Sequence, residues 1–77
     1  MDQQYEEDIK ASLRMTNREF RQLESLHQHY EQELASLAGS HHLTQDQVIK
    51  QTDLKKLKLQ AKDRMAQIIR QYRNQIH

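Results

Sequence analysis

Apolar side chains return in alternating steps of three and four along both halves of this 77-residue chain, and its only glycine, Gly39, stands between the halves. That spacing marks a narrow coiled-coil stripe, in which one face of a helix is apolar and the rest is solvated. No proline occurs anywhere to supply a competing break. The stretch from Leu37 to Thr44 therefore divides the chain. Glycine can take the left-handed conformation that stops a helix, and Thr44-Gln45-Asp46-Gln47 predicts a fresh start with a capping box. The expected fold is all-α: an antiparallel two-helix coiled-coil hairpin, with arm 1 over about 5–38, a hinge at 39–43 and arm 2 over about 44–76.

A mean hydropathy of -1.11 with 35% hydrophobic residues is too polar for an ordinary globular core, which leaves disorder or thin helices. Gln, Glu, Lys, Arg and Leu dominate, and these are good helix formers, so helix is expected. The absence of cysteine excludes a disulfide framework and a thiolate site. The opening Met1-Asp2-Gln3-Gln4-Tyr5-Glu6-Glu7-Asp8 is acidic and unlike a signal peptide, and no run could span a bilayer. A cytoplasmic protein without membrane contact is expected. Charge is lopsided: residues 1–40 carry eight acids against four bases, and residues 41–77 carry eight bases against three acids. Opposite arms satisfy each other when folded back, and like arms repel.

On arm 1 the stripe runs Ile9, Leu13, Thr16, Phe20, Leu23, His27, Tyr30, Leu34 and Leu37. On arm 2 it runs Val48, Gln51, Leu54, Lys58, Ala61, Met65, Ile68, Tyr72 and Ile76. One antiparallel register fits both, from Leu37 beside Val48, through Tyr30 beside Leu54 and Phe20 beside Met65, to Ile9 beside Ile76. The polar level of His27 and Lys58 is expected to fix that register at some cost in stability. A competing signal lies at Met15-Thr16-Asn17-Arg18-Glu19-Phe20, where Thr16 and Glu19 form a second capping box and Met15 could staple to Phe20. The register that runs through Thr16 favours one continuous arm.

A second apolar line, Leu59, Ala66, Ile69 and Ile76, lies beside the stripe on arm 2. Two thin helices bury little area, so this line is expected to pair two hairpins as a homodimeric four-helix bundle, or else to receive the helix of an unknown protein partner. The densest basic stretch offers Lys55, Lys56, Lys58, Lys62 and Arg64 to phosphates, although it has few aromatics and an acidic arm to neutralise it. The five histidines include no same-face pair four residues apart, so no metal is expected. No nucleophile with its base and no phosphate-cradling loop is present, so no catalytic residue and no cofactor is expected.

The residues Asn17, Phe20, Leu23 and His27, with Leu54-Lys55-Lys56, Lys58-Leu59 and Lys62-Asp63, resemble the YdcH-like family of small bacterial proteins of unknown function. The resemblance covers roughly residues 13–72. It implies a helical hairpin, no known activity and no known cofactor. Two departures matter: Arg18 stands where the family often has proline, which weighs against a break near Asn17, and Ala61 stands where a larger apolar residue is usual, which implies a thinner stripe. The expected function is a non-enzymatic, self-associating protein–protein interaction module. The alternative is a nucleic-acid binder using the basic second arm.

Overall fold

The computed structural model describes residues Asp2–Gln75, with side chains from Gln4 onward. The described residues are all-α and form three helices: α1, Asp2–Thr16; α2, Arg18–Ala38; and α3, Gln45–Gln75. Among the described residues there is no strand. The 31 residues of α3 make a spine of about 46 Å at about 1.5 Å per residue, nearly the whole 50 Å length of the molecule. The radius of gyration of 15.5 Å exceeds the value of about 11.5 Å for a globule of this length.

The two ends of the connection between α2 and α3 are built differently. At Thr44 the capping box forms: the Gln47 N–H donates to Thr44 Oγ1 at 3.2 Å and the Thr44 N–H donates to Gln47 Oε1 at 2.9 Å. At Gly39 the expected left-handed turn is absent. Its φ of -74° and ψ of -10° are right-handed, and its N–H donates to the Ala35 carbonyl at 3.2 Å. The Ser40 N–H then reaches back to the Leu37 carbonyl at 3.1 Å, so the last turn tightens and no inversion of φ is needed.

Arm 1 is not continuous. The helix breaks at Asn17, where φ is -124° and ψ is 108°, and the N-cap of α2 is Asn17 rather than Thr16. Asn17 Oδ1 accepts from the Phe20 N–H at 2.9 Å, which satisfies a donor left over at the start of α2. The Thr16 hydroxyl donates backward to the Ser12 carbonyl at 2.8 Å, so it belongs to the end of α1. No staple forms, because Met15 is 83% exposed while Phe20 is buried.

The break turns α1 toward the Ile69 and Arg73 side of α3. Ile9, Leu13, Phe20, Ile68 and Ile69 form the core cluster, with Leu23, Met65 and Tyr72 packed against it. A straight arm would bury Ile68 and leave Ile69 outside; the turned arm covers both. Each large side chain taken from water is worth roughly 1.5–3 kcal/mol, which is the physical reason for the turn. Leu54 and Ala61 continue the buried line between α2 and α3. Toward the loop the contact thins: Tyr30, Leu34 and Leu37 are half-buried, and Val48 is 46% exposed rather than sealed against Leu37. Two exposed ion pairs accompany the antiparallel register of α2 and α3. Arg64 meets Glu19 at 2.8 Å and Lys50 meets Glu33 at 3.8 Å, and the two pairs have the same sum of residue numbers.

Candidate functional site

Two surfaces remain once the core is built. The first is an apolar line on α3. Ile69 has left it, since at 8% exposure it belongs to the core beneath α1, and Ile76 lies outside the described residues. Leu59, 58% exposed, and Ala66 stay in place, and Val48 joins them at coiled-coil spacing. Sequence reasoning put Val48 in the stripe because Leu37 stood opposite. The tightened turn after α2 leaves that last level open. On the other side of the helical pair, Leu26 and Leu57 are also exposed, one heptad from the Glu19–Arg64 and Glu33–Lys50 bridges.

The second surface is a groove of about 1050 Å³ in the crook of the three helices. It exists because α1 turns at Asn17. Its floor is apolar, made by Phe20, Met65, Ala66 and Ile69. Its walls are charged: seven basic and three acidic side chains line it. Two of the acids are already engaged, Glu24 with Arg14 at 2.8 Å and Glu31 with Lys58 at 3.2 Å. Arg21 donates to the Arg14 carbonyl at 2.7 Å, a carbonyl released by the break. Lys62 and Arg70 are exposed and have no ion pair among the described residues. The Arg73 guanidinium stands 5.8 Å from the centre of the Tyr5 ring, and its buried Nε has no acceptor among the described residues.

The basic stretch divides across these surfaces. Lys58 and Arg64 are answered by Glu31 and Glu19. Lys62 lines the groove, and Lys55 and Lys56 point into water elsewhere on α3. The bidentate contact with Arg64 has an electrostatic consequence. Its hydrogen bond outweighs the opposing desolvation and, with a smaller contribution from its charge, holds the Glu19 carboxyl below the usual carboxylate range. The pKa values of the Arg14 and Arg64 guanidinium groups are raised by the hydrogen bonds they donate to Glu24 and Glu19. The His27 and Lys58 level does not leave Lys58 facing the imidazole alone, since Glu31 takes its charge.

His29 sits 3.7 Å from Glu33 and tilts against Tyr30. Among the described residues no three His, Cys, Asp or Glu side chains gather as a metal site would require. Nor is any helix among them long and apolar enough to cross a membrane. Comparison with known protein families, curated proteins and solved structures gives no match. Function is therefore read from the residues and their geometry.

The groove residues Lys10, Arg14, Arg21, Arg70 and Arg73 were not singled out by the sequence. Their one signal is Asn17, a favoured N-cap residue three positions before Phe20.

Proposed function

We propose that this protein is a non-enzymatic, cytosolic helical module that acts by binding other helices, beginning with a second copy of itself. The observation that carries this reading is the exposed apolar line of Val48, Leu59 and Ala66 along α3. A thin three-helix core leaves such a line wet, and covering it against its own symmetry mate removes it from water twice over. Two copies joined through α3, each contributing its α2 and α3 pair as a helical hairpin, make a four-helix bundle. The resemblance to the YdcH-like family supports a helical hairpin and supplies no activity.

Sedimentation equilibrium at low and high salt tests it. The expected result is a dimer that persists at high salt and dissociates in the Leu59→Lys variant. A wild-type monomer across the accessible concentration range would refute self-association. The second reading, binding of nucleic acid, is favoured by Lys55, Lys56 and Lys62, which are exposed and carry no ion pair among the described residues. Absorbance at 260 nm that co-sediments at low salt and is released at high salt would favour it, because phosphate binding weakens steeply as salt rises.

A further inference from the structure

The groove in the crook of α1, α2 and α3 meets the apolar line at Ala66, and its chemistry is more specific. We propose that it is a docking groove for an acidic amphipathic helix of a partner protein. The proposal rests on the reading of this chain as a helix-binding module and names the site and the chemistry of the partner.

Floor and walls make separate demands. The reachable floor is Met65 and Ala66, laid over the buried Phe20 and Ile69, and it is apolar, so its occupant must present an apolar ridge. The walls hold a formal excess of cations, and two of the three acids that could balance them are engaged by Arg14 and Lys58. Lys62, Arg70 and Arg73 follow one another at helical spacing along one side of α3, flanking Ala66. A ridge of leucines flanked by glutamates meets both demands at once. Arg73 closes the row on α3, and its guanidinium adds to the positive charge that a partner's carboxylates would meet. The length from Lys58 to Arg73 accommodates about four turns of helix, or about 22 Å.

Other occupants fit less well. A nucleic-acid backbone would use the cations and gain nothing from the floor, and Lys55 and Lys56 lie outside the groove. A second copy of this chain has no acidic helix with an apolar ridge to spare, because Ile9 and Leu13 of α1 and Phe20 of α2 are already buried.

The test uses the full chain and labelled helical peptides of about sixteen residues, with leucines at spacing three and four and glutamates on the flanks, read by fluorescence anisotropy. The control peptides carry glutamine in place of glutamate. The glutamate peptide is expected to bind, and the glutamine peptide to bind at least about tenfold more weakly. The double variant Lys62→Glu with Arg70→Glu should lose at least about tenfold in affinity, while Lys55→Glu with Lys56→Glu should bind as the wild type does. All four side chains are exposed, so both variants should fold, and circular dichroism checks this. Absence of binding, equal binding of the two peptides, or loss in the Lys55 and Lys56 variant would overturn the proposal. So would tighter binding of a single-stranded oligonucleotide to the same groove variants' wild-type parent. If the peptides fail while the Leu59-dependent dimer persists, the groove assignment falls and the module reading stands; if both fail, both fall.

Discussion

The side-chain amide of Asn17 stands in for a peptide carbonyl that the chain has turned away. Its Oδ1 takes the Phe20 N–H, and on the other side of the break the Arg21 guanidinium takes the Arg14 carbonyl. One donor and one acceptor freed by the interruption are thus satisfied locally, and the other freed groups lie on exposed residues. Glu19, two residues on, combines two stabilising contacts: it lies in the first turn of α2, where the helix dipole favours a carboxylate, and it receives Arg64 at 2.8 Å. Its folded carboxyl is lowered by that hydrogen bond, so its contribution is present above the ordinary carboxylate range and is lost as the pH falls through the folded value. The Glu19→Gln variant should therefore melt below the wild type at neutral pH, and the gap should close on acidification. A gap that stays constant into strong acid would remove the assignment. Added salt should narrow it as well, since both side chains are half in water.

At the scale of the element, proline is the sharpest probe of the break. Position 18 is the first residue of α2, and Asn17 before it has the extended backbone that a following proline requires. Arg18→Pro is expected to leave helix content unchanged and stability at or above that of the wild type. In an uninterrupted arm the same substitution would cost about 3 kcal/mol or more, so thermal melts followed by circular dichroism decide between the two architectures. All-α character and the Thr44 start were legible in the sequence because both are written in local signals, a three-four apolar rhythm and a reciprocal Thr44 and Gln47 pair. The course of arm 1 was not. Ile9, Leu13 and Phe20 keep the same rhythm whether the helix is straight or broken, and Arg18 offered no proline to mark the point. What decides is Ile69, a residue far along the chain whose burial repays the turn. The groove was hidden for the same reason, since its cations come from three helices whose meeting depends on one hydrogen-bonding side chain.

Over the whole molecule, apolar contact is concentrated at one pole. Ile9, Leu13, Phe20, Ile68 and Ile69 gather where three helices meet, whereas the half of the α2 and α3 pair nearest the loop holds Leu54 alone among fully buried side chains of the described residues. Local opening follows the density of buried contact. Amide hydrogen exchange should therefore be slowest around Phe20 and Ile68 and quicken steadily along both helices toward Gly39 and Thr44; uniform protection along α3 would contradict this. The chain would then unravel in a set direction, fraying first at the connecting loop while α1 and the far half of α3 stay gathered. Such a molecule resembles a clasp fastened at one end, able to spread its free end without letting go of its fastening.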